Sequence, residues 1–345
     1  MGVAISELVP SSEVSLDSLA GKIIAIDAMN MLYQFVTTIR QQDGTPLKDS
    51  KGNITSHLTG LFARTTRLMQ KGIRLVFVFD GKMPELKAKE RERREKLKEE
   101  AHAALQESVA AGDIAGMKKF AGRTARVTSQ MIEESKELLD ALGIPYLVAP
   151  SEGEAQAGFM VKQGDCDYVA SQDSDCLIYD SPAMIKNLSL SNRRKKINAL
   201  TYKAVLPEAI TLEETLSTLG INLDQLRALA MLIGTDFNIG GIKGLGPKKG
   251  LKLVKEFGDD FKALFAEVKW DDHFEVSWQD VFDTIKNMPT TTEYSLSWKD
   301  VDADALKRLL VEEHDFSKAR VDSAIEEIEK AKKKSQQTSL GRFFG

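Results

Sequence analysis

"YVASQDSDCL", residues 168–177, decides how the rest of the chain is read. Tyr168 to Ala170 is an apolar run of the kind buried in a sheet, and Asp173 and Asp175 follow with no Lys or Arg in the window. Carboxylates placed side by side at the end of a buried strand repel one another, and burial disfavours the charged form of each. Something must offset them. The pattern recurs elsewhere. "KIIAID" (22–27) ends in Asp27, "RLVFVFD" (74–80) ends in Asp80, and "IPYLVAP" (144–150) runs into "SEGEAQAG" with Glu152 and Glu154.

Helical patterns separate these runs. In "SQMIEESKELLDALG" (129–143), Met131, Ile132, Ser135, Leu138, Leu139 and Leu142 share one face, and Gly143 is the stop. Continuous apolar strands alternating with helices predict an α/β fold with a central, mostly parallel sheet. In such sheets ligands bind beyond the carboxyl ends of the strands. Singly, each acid has a bland reading. An Asp after a strand is a turn or cap residue, "SEGE" is a capping box begun by Ser151, and "DSD" is a surface turn. Their recurrence at every strand end instead predicts one acidic rim. An all-carboxylate cluster without His or Cys calls for Mg²⁺ or Mn²⁺.

The composition narrows the alternatives. The 345 residues suffice for a large core, and no apolar run approaches the roughly 18 residues that span a bilayer. No secretory signal is read at the start, and "MGVAIS" is taken as a processed N-terminus at Gly2 rather than an acylation site. Cys166 and Cys176 are expected to be reduced core residues, so the chain is placed in the cytoplasm. Four scattered histidines (His57, His102, His273, His314) argue against zinc hydrolase chemistry. The net charge of −4 gives little sign of a nucleic-acid binder, but a sum conceals local patches.

Two such patches stand out. Residues 81–126 carry twelve Lys and Arg against eight Asp and Glu, a local excess of +4 in an acidic chain. The segment reads either as a solvated helix or as a basic insert above the rim. "LIGTDFNIGGIKGLGPKKGLKLVKEFG" (232–258) offers Asp236, then glycines before a helix starting near Pro247. Gly244 and Gly246 with Lys248 and Lys249 suit a helix-hairpin-helix grip on a DNA backbone. The last residues place Gln337, Leu340, Phe343 and Phe344 on a tail expected to be disordered, and apolar residues there imply a partner. "RRKK" (193–196) reads as a hairpin tip. Whether "SLSWKD" and the helices of 301–333 touch DNA or brace the core is open at this point.

"IAIDAMNMLYQF", "VFVFDGKMPELK", "APSEGEAQAG", "ASQDSDCLIYD" and "LIGTDFNIGGIKGLGPKKG", in that order, resemble the motifs of the flap endonucleases, a branch of the structure-specific 5′-nuclease superfamily, over essentially the whole chain. "QQTSLGRFF" resembles the box that binds a sliding clamp (PCNA), and the lack of a long basic extension resembles archaeal members. The resemblance implies a PIN-like fold with an N-terminal nuclease region (1–99), a helical arch (82–127), an internal nuclease region (116–258), a C-terminal helical region (259–336) and the clamp-binding tail (337–345). It implies that Asp27, Asp80, Glu152, Glu154, Asp173, Asp175 and Asp236 hold two Mg²⁺, with Mn²⁺ as the substitute. It places Lys87 and Arg94 on the scissile phosphate, Tyr33 on an unpaired base, and Gly2 near the site. The implied reaction is two-metal-ion hydrolysis at the base of 5′ flaps in branched DNA, with 5′-3′ exonuclease activity, by a monomer serving replication and repair. The competing readings are a sibling exonuclease or junction nuclease, a phosphatase with Asp173 as nucleophile, and a non-catalytic DNA-structure or clamp binder.

Overall fold

The computed structural model describes residues 5, 7–188, 194, 195, 202, 203 and 205–343, with side chains for all of these except 118, 194, 195, 202, 203 and 334–343. Among the described residues, nine strands form two sheets. The larger joins β1 (Ser12–Glu13), β2 (Ile23–Asp27), β3 (Arg74–Phe79), β4 (Tyr146–Val148), β5 (Tyr168–Ala170), β6 (Ala183–Lys186) and β9 (Glu208–Thr211). Its order is β1-β9-β6-β5-β2-β3-β4; β6 through β4 run parallel, and β9 and β1 close one edge antiparallel. The smaller sheet pairs β7 (Arg194–Lys195) with β8 (Tyr202–Lys203). Arg194 and Lys195 thus sit in a strand rather than at the predicted hairpin tip, and Arg193 and Lys196 lie outside the described residues.

The strands are apolar throughout because both sheet faces are covered, and the two-residue period divides their side chains between two cores. Ala25, Val76, Val78 and Val169 enter one core with α6 (Gly153–Gln163), α7 (Asp175–Ile178), α8 (Leu212–Leu219), α9 (Leu223–Ile233) and α10 (Pro247–Phe257). Ile24, Ile26, Leu75, Phe77 and Phe79 enter the other with α1 (Ala28–Thr38), α2 (Ser56–Gln70) and α5 (Ser129–Ala141). The insert between β3 and α5 forms α3 (Ala88–Ala110) and α4 (Ile114–Ala121), which pack on each other. Along α3 only Glu90, Ala101 and Ser108 are buried, as a helix polar on every face predicts.

The C-terminal part braces the core. After α11 (Phe261–Glu267), α12 (Trp270–His273) and α13 (Trp278–Lys286), an extended segment crosses the sheet's flank. Gln156, fully buried on α6, donates to the Thr291 carbonyl at 2.9 Å and accepts from its N–H at 2.8 Å. Trp298 Nε1 donates to the Leu75 carbonyl at 2.8 Å. Gly143 turns at φ +68°, and a Cβ there would lie 2.4 Å from the Lys299 carbonyl oxygen, so glycine lets the segment close against α5. α14 (Ala303–Lys307) and α15 (Lys318–Phe343) then add Leu306, Val321, Ile325 and Ile328 to the second core. The tail departs from expectation: its backbone continues α15 to Phe343. From Lys318 to Leu340 no Gly or Pro interrupts a run rich in Ala, Lys, Glu and Gln, all strong helix formers.

Candidate active site

The rim forms where the chain changes direction across the sheet. From β2 it proceeds outward to β3 and β4, then returns to the other side of β2 as β5, leaving a crevice at the carboxyl ends of β2 and β5. Asp27 is the last residue of β2 and also the N-cap of α1, accepting from Asn30 N at 3.0 Å. Asp80 follows β3 and caps a helix belonging to another segment: its Oδ1 accepts from Gly153 N, at the start of α6, at 2.7 Å. The capping box that "SEGE" alone would suggest does not form: Ser151 Oγ donates to the Lys82 carbonyl at 3.0 Å, and Glu152 makes no side-chain cap. Its carboxylate is thereby left for the rim.

The remaining acids converge on the same place. Ser171 Oγ donates to Glu154 at 2.5 Å, and Asn30 Nδ2 donates to Asp173 at 3.0 Å. Asp175 opens α7 and is buried. Asp236 comes from the loop after α9, which is held by Asn238 donating to the Met231 carbonyl at 2.6 Å. Among the described residues no three of the His, Cys, Asp and Glu side chains close on a common point as a ready ligand set. They do share a field. Burial, then Asp80 and Asp173, hold Asp27 well above the usual carboxylate range. Burial, then Asp175 and Asp27, do the same to Glu154. Glu152 is raised by burial and by Asp80 and Asp236 against the opposing pull of Lys87. Asp80 keeps solvent access as a residue, yet desolvation of its carboxyl group raises it too.

Two cations from the insert reach into this field. Lys87 Nζ lies 2.6 Å from Glu152 and 3.2 Å from Asp236, over the Phe237 ring at 5.3 Å. Burial works against its charge, but Glu152 and Asp236 outweigh burial and hold the ammonium above its usual range. Arg94 Nη2 donates to Asp236 at 2.7 Å. The fold therefore gathers all nine residues predicted for metal and phosphate.

The same arrangement of segments is found in known proteins. Residues 3–101 match the XPG N-terminal domain and residues 143–236 the XPG I-region. Flap endonuclease 1 of Pyrococcus abyssi is 47% identical over 100% of this chain and 98% of its own. The chain belongs to the flap endonuclease family. Flap endonuclease 1 of Aeropyrum pernix is 46% identical, with 100% of both chains covered. The solved flap endonuclease-1 from Methanococcus jannaschii superposes with a TM-score of 0.74 at 38% identity, over 96% of this chain and 98% of that one.

Other predicted site residues lie apart from the acids. Tyr33 on α1 is 44% exposed, an open aromatic face. Lys248 and Lys249 are exposed at the start of α10, and Gly244 (φ +84°) and Gly246 would meet nothing within 4 Å if given a Cβ, so the loop's outer side is open to a ligand. Gly241 is different: at φ +62° its Cβ would come 2.3 Å from the Ile233 carbonyl, so it serves the turn itself. Gly2 and Phe344 lie outside the described residues, and Gln337, Leu340 and Phe343 are described in backbone only. Sequence reasoning missed Asn30, Ser171, Glu90 and Lys186. Asn30 and Ser171 lie inside the quoted motifs, but their partners are 143 and 17 residues away along the chain. Lys186 is buried on β6, with Nζ donating to Ser174 at 2.7 Å behind the Asp173–Asp175 turn. A lysine in an apolar strand gave a weak signal of a nearby acid cluster.

Proposed function

We propose that this member of the flap endonuclease family hydrolyses one DNA phosphodiester at the base of a 5′ flap, using Mg²⁺ held on the acidic rim. Asp27, Asp80, Glu152, Glu154, Asp173, Asp175 and Asp236 would hold two such ions, with Mn²⁺ as the substitute. The observation that carries this reading is the convergence of seven carboxylates from five segments with Lys87 and Arg94. The donor set fits the ion: carboxylates are hard oxygen ligands, and burial raises the proton affinity of Asp27, Asp80, Glu152 and Glu154, with neighbouring acids adding to it at Asp27, Glu152 and Glu154, so a bound cation would stabilise their charged forms. Bound divalent ions supply Lewis-acid chemistry to phosphate ester hydrolysis.

The chain's own residues do the rest. Lys87 and Arg94 exchange Glu152 and Asp236 for the scissile phosphate and offset its growing charge in the transition state. Water adds to phosphorus, the bond from phosphorus to the 3′ oxygen breaks, and that oxygen takes a proton, leaving a 5′-phosphate and a 3′-hydroxyl. Tyr33 stacks on a base released beside the cut, with Gly2 nearby. The Gly244–Gly246 loop with Lys248 and Lys249 grips the duplex backbone. Target nucleotides must unstack to reach the rim, at a cost of a few kcal/mol each, which is smallest at a branch point. The insert 82–127 forms the arch on the 1–99 and 116–258 nuclease regions, 259–336 braces them, and 337–345 binds PCNA. The protein acts as a cytoplasmic monomer; no helix among the described residues is long and apolar enough to cross a membrane.

The test is cleavage of a 5′-labelled flap duplex with Mg²⁺, with EDTA, and by Asp175→Ala. Magnesium-dependent cutting at the flap base, lost in the variant, is expected. Cutting of a four-way junction or blunt duplex in place of the flap would move the substrate to a sibling nuclease. Binding without any cutting would overturn the catalytic reading.

A further inference from the structure

Glu90 is the one acid on α3 that is withdrawn from solvent, with 4% of its surface exposed on a helix otherwise polar and open. A buried carboxylate must be paired. Glu90 accepts from Arg93 twice, from Nε at 2.7 Å and Nη2 at 2.8 Å, and from Arg94 Nε at 2.5 Å. The Arg94 guanidinium is therefore held at Nε by Glu90 while its Nη2 points to Asp236. Its Nη1 donates to none of the described residues, and its side chain remains 41% exposed.

We propose that Glu90 is a positioning residue: it fixes the Arg94 guanidinium over the acidic rim, so that the arginine meets the scissile phosphate already oriented. The physical reason lies in the length of the side chain. An arginine on an exposed helix loses rotamer freedom when it engages a ligand. Glu90 sits one helical turn before Arg94, where i,i+4 side chains meet, and removes that freedom in advance. Arg93 completes the pairing, so the buried carboxylate carries two guanidinium partners.

This rests on the assignment of Arg94 to the phosphate, and the experiment separates the two. Single-turnover cleavage of flap DNA and equilibrium binding of the same DNA in Ca²⁺ are measured for the full chain and for Glu90→Gln, Glu90→Ala, Arg94→Ala and the double variant Glu90→Gln/Arg94→Ala. Glu90→Gln keeps the size of the side chain, and circular dichroism checks that each variant is folded. Arg94→Ala is expected to slow cleavage about 100-fold. Glu90→Gln should slow it about tenfold with DNA affinity within about twofold, and Glu90→Ala should slow it more. In the Arg94→Ala background, Glu90→Gln should change nothing further, because the two act as a unit. A full effect of Glu90→Gln on top of Arg94→Ala would overturn the proposal, as would normal cleavage by folded Glu90→Gln while Arg94→Ala is slow. If Arg94→Ala itself cleaves normally, the phosphate assignment fails and takes the positioning role with it.

Discussion

The acidic rim and the helical insert above it are built on opposite terms. The rim is rigid because it hangs on the most buried part of the molecule: Ile24, Ala25 and Ile26, fully buried, run directly into Asp27. The insert has almost no core of its own, and Leu97, Val109 and Ile114 stand 49%, 55% and 60% exposed. The comparison teaches where precision resides. The rim can hold mutually repelling carboxylates because two packed cores keep them there, while the insert presents its cations on an exposed helix and holds them with ion pairs such as Glu90–Arg94 where they meet the rim.

The largest expected effect tests the rim. Asp27→Asn should keep the cap on Asn30 N but lower flap cleavage about 10³-fold or more. In chelator the same variant should be more stable than the parent, by about 2 °C in Tm. The sign follows from linkage. Asp27 and Glu154 titrate above their unfolded values, so their stabilising contribution is complete below the unfolded carboxylate pKa, about 4, and is lost as pH rises through the folded values. Thermal melts from acid to neutral pH in chelator should show a decline that is smaller in Asp27→Asn; a variant less stable than the parent throughout would break the picture of a strained rim.

The next effect contrasts the supports. Leu138→Ala, at a fully buried position of α5, should cost about 2–5 kcal/mol in chemical denaturation. Leu97→Ala, half exposed on α3, should cost less than about 0.5 kcal/mol. Similar losses at both sites would mean that the insert is packed more firmly than its exposure indicates. A smaller effect sharpens the DNA contact: Lys248→Ala should make the plot of log affinity against log salt shallower by about 0.9, with little change in melting temperature. The smallest concerns the tail. Phe343→Ala should leave cleavage by the protein alone unchanged and abolish binding to PCNA, measured by titration calorimetry.

Much of the site was legible because its residues terminate strands. Asp27, Asp80, Glu152, Glu154, Asp173 and Asp175 were found from the apolar runs before them, and the parallel sheet predicted that those ends share an edge. What escaped were pairings between distant segments. Asp80 caps α6 in place of the local capping box that Ser151 could have made. Lys186 bonds Ser174, between Asp173 and Asp175, from a neighbouring strand, and Glu90 looked like any other charge on a solvated helix.

The amino-acid order by itself determined the strands before the acids and the helices between them, the burial of both sheet faces, the run of acids at strand ends and the basic excess of residues 81–126, since these depend on residue type and on periods of two or 3.6. Only the tertiary structure decided the strand order that places β5 beside β2, the antiparallel edge made by β9 and β1, and the partners of Asp80, Arg94 and Gln156. Those depend on which surfaces meet after the chain has crossed the sheet. Local sequence carries no record of a contact made 142 residues away, as between Arg94 and Asp236.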